Sequence, residues 1–412
     1  MPVKVDLVHA TGNENVRQVL QSLNELQLLG RFWTTVGFHD VPRIAKAVPS
    51  VERIASKRVF DAPSGRLKTR LHMEVARNVA EQSGIEPIAR LARRGSHLGI
   101  DRVQDDLDRH VATQLKRHRP SSVYGYLGQS VRTLEAAKRQ GIQTILEMQH
   151  VASAEYLELV EREYDADPEW RATLPDQRVL RRDIVGQTAE LELADLIVAP
   201  SRQVALSASR AHNPAPVHTI PYGCAVPAMG ARHQPRRKSD PLKLLFVGRV
   251  VSLKGLSYLE QALRDFPRRD VELTIIGGAD LSVPGVRRLV ERADYRGRQP
   301  RSAVLAAIRE HDAFVMPSIV EGRSLAVLEA VSLGLPVLVT PGSGTDDLAA
   351  AGAGIVVPSR SASGLRDAIE AMHRGAVDLE ALSAGAVAVA RQSTWALFRS
   401  QIGNLVRSTD AP

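Results

Sequence analysis

Residues 316–336, MPSIVEGRSLAVLEAVSLGLP, decide how the chain folds. The apolar run Ala313-Phe314-Val315-Met316 leads into this stretch and reads as a buried parallel strand ending at Pro317-Ser318. Ser324 stands at a helix N-cap, and Leu325, Val327, Leu328, Ala330 and Val331 carry the helix onward. Gly334 and Pro336 stop it, and Val337-Leu338-Val339 resumes a strand. Glu321 lies at the loop tip and Glu329 inside the helix, with seven residues between them. The two carboxylates can therefore face one crevice, beside the free N–H groups of a helix N-terminus. Such a crevice suits an anionic ligand that also carries hydroxyls. Acids near a helix start also occur simply because they favour its dipole, so the rest of the chain has to decide.

Working outward, strand and helix patterns alternate in two blocks. Val3–Val8 predicts a strand, Glu14–Leu29 a helix and Arg31–Val36 a second strand, the opening of a parallel sheet. Residues 42–75 are basic and poorly patterned. Leu107–Lys116 reads as helix, and residues 123–126, 144–148, 194–199 and 217–221 read as strands. Residues 223–241, GCAVPAMGARHQPRRKSDP, have the Pro, Gly and Arg content of a linker. A second block follows: strand 243–247, helix 257–264, strand 271–276, helices 284–293 and 301–310, strand 313–316. Two strand-first blocks imply an α/β chain of two Rossmann-like domains, 1–222 and 242–392, joined by 223–241. Residues 393–412 form a last helix that crosses back to the first domain. In open parallel sheets ligands sit at the strand C-termini, so the expected site is the cleft between the domains.

Composition narrows the classes. A chain of 412 residues is long for one core. Its one cysteine, Cys224, leaves no internal disulfide and no cysteine metal site, which fits a reducing, cytoplasmic setting. No run is long enough for a membrane span, and the start is a strand pattern rather than a signal peptide. The net charge is +8, and residues 1–120 hold 20 Lys and Arg against 13 Asp and Glu, a surplus of seven. Aromatics make up 4% and do not interleave with the cations, which argues against nucleic acid. Arg43, Lys46, Arg53, Lys57, Arg58, Arg66, Lys68 and Arg70 form one basic stretch. It suits an anionic acceptor, or a peripheral contact with the inner face of a membrane.

The second block opens with Phe246-Val247-Gly248-Arg249, then Lys254-Gly255. Gly248 permits a turn after the strand, and the two cations can clamp a diphosphate. Ile275-Ile276-Gly277-Gly278, Asp312-Ala313, Pro317-Ser318, Glu321 and Glu329, and Gly334-Leu335-Pro336-Val337 follow in order. This sequence of motifs resembles the family 4 retaining glycosyltransferases of GT-B fold, over about residues 242–360 and more weakly before them. Residues 194–201 and 220–223 look like further landmarks.

The resemblance implies a metal-independent, hexosyltransferase-type enzyme with a nucleotide diphosphate sugar as donor and no cofactor. Its acceptor would be a sugar, lipid-linked or anionic. It implies that Gly248, Arg249 and Lys254 hold the diphosphate, with Arg298 near the base and Glu329 on the ribose. Glu321 would meet the sugar, and Gly322, Arg323, Ser324 and Leu325 would complete the donor site. A cleft histidine is implied, His150 or its rival His9. Arg323 and Ser324 stand where the family has an aromatic residue and a glycine, so Arg323 is expected beside the donor sugar or in solvent. The N-terminal glycine-rich loop is reduced to Thr11-Gly12-Asn13-Glu14-Asn15. Two other readings stay open: a non-catalytic nucleotide-sugar-binding protein, and a GT-B epimerase or phosphorylase.

Overall fold

The computed structural model describes residues 4–42, 55–83, 85–211, 215–224 and 240–408. Its described strands form two sheets, and every pairing between them is parallel. The first sheet contains β1 (Val5–Val8), β2 (Leu29–Thr34), β3 (Leu67–Thr69), β4 (Ser122–Tyr126), β5 (Gln143–Glu147), β6 (Leu196–Ala199) and β7 (Val217–Thr219). Their order is β3-β2-β1-β4-β5-β6-β7. The second contains β8 (Leu242–Val247), β9 (Val271–Ile276), β10 (Asp294–Tyr295), β11 (Ala313–Met316), β12 (Val337–Val339) and β13 (Gly354–Val356). Their order is β10-β9-β8-β11-β12-β13.

Strand order reverses between β1 and β4 and again between β8 and β11, so each sheet has its crevice there. The central strands β1, β4 and β11 are buried along their whole length. That is why Ala313–Met316 is an unbroken apolar run and not an alternating one.

In the basic stretch the structure differs from the sequence reading. Residues 66–82 hold β3 and a helix, Leu71–Gln82. Two long helices, Ser153–Ala166 and Gln177–Leu193, fill the part of the chain that the periodicity left blank. Most of the linker lies outside the described residues.

The chain returns to the first domain through the helix Trp395–Ser408, which packs on the helix Glu14–Glu25. Ser22 Oγ donates to Arg399 O at 2.7 Å, and Arg399 also reaches Gln18 and Glu25. Trp395 and Phe398 pack against Tyr222.

A second contact joins the domains. Trp170, on a short helix Pro168–Thr173, is fully buried against the helix Pro284–Arg292. A side chain at Gly285 would put its Cβ 2.2 Å from the indole nitrogen, so only glycine lets the indole seat. Burying that indole stabilises the contact by about 4–6 kcal/mol. Its N–H has no acceptor among the described residues, which takes back about 1–3 kcal/mol.

Candidate active site

The Glu321 loop follows β11 and is held from two sides. A Cβ on Gly322 would lie 1.7 Å from Gln149 O, in the loop after β5 of the other domain. On the opposite side, a Cβ on Gly344 would lie 2.2 Å from Gly322 O. The domains therefore meet backbone to backbone at Gly322, and His150 follows directly on the contact.

Glu321 is anchored by two partners. Ser318 Oγ donates to one carboxylate oxygen, and Lys254 Nζ lies 2.7 Å from the other. Lys254 ends a short helical turn, Ser252–Lys254, whose Ile319 N–H to Leu253 O bond of 2.9 Å ties it to the same loop. Arg249 is exposed just past β8 and lines a cavity of ≈ 520 Å³ with Val251, Gly278, Asp280, Arg298 and Thr173. The first domain closes part of this cavity: Ser252 N donates to Thr173 Oγ1 at 2.9 Å.

His150 Nδ1–H donates to Val151 O at 2.7 Å, which leaves Nε2 as the free ring nitrogen. Burial lowers its pKa and outweighs that bond, so the ring is neutral at physiological pH. Tyr156 packs near it, with ring centroids 6.4 Å apart. Burial raises the Tyr156 pKa, while Arg249 and Arg94 pull it down and Glu321 pushes it up. The tyrosine thus stands in the field of both sides of the cleft. Nothing in the sequence pattern had marked it.

His9 is occupied elsewhere. It is buried, and its Nδ1 accepts from Thr11 N at 3.1 Å and Gly12 N at 2.8 Å. Its pKa is pushed down to about 3 by burial first and by Arg58 second. It shapes the reduced 11–15 loop and, being neutral near pH 7, keeps its one ring proton on Nε2, with a side-chain hydrogen bond to Gln149.

Several expectations are corrected. Arg323 is neither beside the crevice nor in solvent: its side chain is 2% exposed. The guanidinium donates to Tyr222 O at 3.2 Å, Gly344 O at 2.9 Å and both oxygens of Asp347. Five donors in a planar fork match that set of acceptors, and the cation clamps the base of the interdomain connection to the loop after β12. The Ser324 N–H is not free, because it donates to Ser343 O at 3.1 Å. The Ser324 hydroxyl makes no cap bond, although the residue does start the helix Leu325–Ser332. Leu325 is 42% exposed at that helix start. Glu329 pairs with the exposed Arg301 at 2.9 Å.

Several described cations of the basic stretch are paired within the fold. Arg58 pairs with the fully buried Glu74 at 2.8 Å and donates to Thr11 O. Arg66 donates to Leu29 O, and Arg70 pairs with Asp106. Arg43, Lys46 and Arg53 lie outside the described residues.

On the first domain a further cavity of ≈ 400 Å³ opens beside the β4 end, lined among others by Arg94, Gln129, Arg132, Asp183, Gln187 and Glu190. Two buried carboxylates hold its floor. Glu190 accepts from Gly128 N and Ser130 N, and Asp108 accepts from Arg132 N at 2.9 Å and Thr133 N at 2.8 Å. Burial pushes them up to about 8 and about 6. Glu147, at the end of β5, is fully buried and accepts from Tyr124, Tyr222 and Asn15. It fixes the strand from which Gln149 and His150 emerge.

Two Rossmann-like sheets meeting at a cleft, with cations on the second side, define a GT-B protein. Residues 231–386 match the family described as "Glycosyl transferases group 1". Among curated relatives, a putative colanic acid biosynthesis glycosyltransferase of Salmonella typhimurium is 31% identical over 139 residues, covering 30% of this chain and 34% of the relative. The D-inositol 3-phosphate glycosyltransferase of Xylanimonas cellulosilytica is 27% identical over 240 residues, 52% of this chain and 56% of the relative. The chain thus spans only about a third to a little over half of these relatives' length. Among solved structures, sucrose-phosphate synthase from Thermosynechococcus elongatus superposes with a TM-score of 0.67 at 16% identity, covering 99% of both chains. Anabaena HepE, solved with UDP and glucose, gives 0.62 at 15%, covering 98% of this chain and 100% of its own.

Proposed function

We propose that this protein is a metal-independent retaining glycosyltransferase that moves a sugar from a nucleotide diphosphate sugar to an acceptor hydroxyl in the interdomain cleft. The observation that carries the reading is the meeting of the Glu321–Gly322 loop, with Lys254 paired to Glu321, and the Gln149–His150 backbone of the other domain, where Arg249 and Glu321 both act on Tyr156. The family match of the C-terminal domain and the UDP and glucose held by one GT-B neighbour support a nucleotide-sugar donor.

In this reading the base lies in the Arg298 cavity and Arg249 and Lys254 hold the diphosphate. Glu329 binds the ribose, and Glu321 orients the sugar with His150 across from it. The bond between the anomeric carbon and the diphosphate oxygen breaks, and its electron pair leaves with the diphosphate. The acceptor oxygen bonds to the same face, and its proton passes to the departing phosphate. Charge grows on the diphosphate in that step, so fixed cations there lower the barrier. We take residues 1–222 as the acceptor side and 242–392 as the donor side, and place the protein in the cytoplasm. Among the described residues no helix is long and apolar enough to cross a membrane.

The test has two arms. Thermal shift with UDP, GDP, dTDP and ADP finds the base, since a ligand of the native state raises apparent stability. Turnover is then followed with the matching sugar nucleotides. Release of nucleoside diphosphate only when an acceptor is present supports transfer. Binding without any release points to a non-catalytic protein, and interconversion of the sugar without an acceptor to an epimerase.

A further inference from the structure

A hairpin of the first domain reaches across to the second. It consists of the helices Ser153–Ala166 and Gln177–Leu193, packed on each other, with the short helix Pro168–Thr173 between them. Three of its side chains hold it on the second domain. The buried Glu163 lies 2.7 Å from Arg360 and accepts from the Tyr258 hydroxyl at 3.2 Å. Glu169 pairs with Arg288 at 2.5 Å. Next in the chain, Trp170 is fully buried over Gly285. A buried aromatic ring with charged pairs around it is the anatomy of a specific interface, not of a surface loop that touches in passing.

The hairpin delivers its tip to the cavity of the second domain. Ala172 and Thr173 line the ≈ 520 Å³ space together with Arg249, Gly278, Tyr295 and Arg298. Thr173 is fixed there: its Oγ1 accepts from Ser252 N at 2.9 Å and donates to Trp170 O at 2.7 Å. The one hydroxyl proton is thus spent, and Thr173 has only its methyl and a lone pair left for a ligand. Ala172 adds a second methyl. Neither residue brings charge, which suits a base or a ribose rather than a diphosphate, which calls for a cation. Both sit in the same short helix as Trp170, so their position follows the seat of the indole on Gly285.

We infer that the nucleotide pocket belongs to both domains: Ala172 and Thr173 of the first domain form a wall for the nucleoside end of the donor, and Trp170, seated on Gly285, positions that wall. The inference rests on the placement of the nucleotide in this cavity by the transferase reading. The first domain then does more than hold the acceptor, and the donor is held fully only while the hairpin is docked. Trp170 acts through its bulk, because the indole N–H has no acceptor among the described residues.

The test is calorimetric measurement of the dissociation constants of UDP, GDP, dTDP and ADP on the full chain, with circular dichroism to check folding. The nucleotide that the wild type binds tightest should be held about tenfold or more weakly by Trp170→Ala. Gly285→Ala unseats the same ring from the other domain and should weaken binding in the same direction. Trp170→Phe should keep the affinity to within about threefold, because a phenyl ring fills most of the space and the indole N–H had no bond to lose. Ala172→Glu, at an exposed position, should weaken binding by about fivefold or more, since its carboxylate meets the charge of the phosphates. If Trp170→Ala does not fold, Ala172→Glu and Gly285→Ala decide. Unchanged affinity in the folded Trp170→Ala or in Ala172→Glu overturns the inference and leaves the transferase reading standing. Equal loss in Trp170→Phe and Trp170→Ala overturns it too. A wild type that binds none of the four nucleotides brings down the inference together with the reading on which it rests.

Discussion

Lys254 Nζ lies 2.7 Å from Glu321 Oε2, joining the cation after β8 to the carboxylate after β11 across the strand-order switch of the second sheet. In the proposed reading one residue of the pair answers the charge of a leaving group and the other meets hydroxyls. The contact also keeps both side chains ordered before a donor arrives.

Arg249→Ala and Lys254→Ala should each lower kcat by about 10²–10³ with the fold intact, as loss of one preorganised donor at a developing charge does. Steady-state rates together with circular dichroism check this. Near-wild-type rates in both variants would remove the diphosphate assignment.

Glu321→Ala and Glu329→Ala should separate. Glu329 pairs with the exposed Arg301, and the proposed ribose contact is made equally in ground and transition states, so KM for the donor rises while kcat holds. Glu321 adjoins Lys254 at the reacting end, so its loss should fall on kcat. A pure KM effect in both variants contradicts this division of roles.

Gly322→Ala puts a methyl 1.7 Å from Gln149 O, a distance no carbonyl tolerates. The domains must separate, and a displacement of that order costs about 10² in kcat/KM. Binding of the nucleotide, whose proposed cavity is lined mainly by the second domain, should fall less than turnover. A fully active Gly322→Ala protein would show that turnover does not need this contact.

Stability should depend on pH through Glu190. Its folded pKa is about 8 because burial outweighs its N–H bonds, against an ordinary 4.5. Between those values the folded chain keeps a proton that the unfolded chain has released. The stabilising contribution is therefore complete below 4.5 and is lost as pH rises through about 8, by at most about 1.4 kcal/mol per pH unit. Glu190→Gln should flatten the melting profile across that window. His9, with a folded pKa of about 3, acts in the opposite direction below 6.5, where the unfolded chain takes up a proton first. That slope is common to both proteins and cancels in their difference. Identical profiles would mean that Glu190 is already ionised when folded.

Activity should persist in EDTA, because in the proposed reading Arg249 and Lys254 supply the positive charge that a metal would otherwise bring to the diphosphate. Loss of turnover in chelator, restored by Mg²⁺ or Mn²⁺, would refute this.

The second sheet was legible in detail. Val271–Ile276, Arg301–Glu310, Ala313–Met316 and Val337–Val339 were expected at the positions where they form. Buried parallel strands are short apolar runs with Gly or Pro at their ends, and such runs announce themselves. The Leu71–Gln82 helix was not legible, because its apolar residues face out and its glutamate faces in, so periodicity carries the wrong expectation of which side is core.

The sequence by itself determined two alternating α/β blocks, the crevice at the strand ends and the order of Arg249, Lys254, Glu321 and Glu329 along it. These follow from local pattern, since strand burial, turns and helix starts depend on neighbours a few residues apart. Only the tertiary structure decided that Arg323 is an internal clamp. It alone set Gly322 against Gln149. Each of those outcomes rests on which groups 20 to 200 residues away supply a hydrogen bond or occupy the space. The identity of a side chain does not reveal whether a distant carbonyl will claim it.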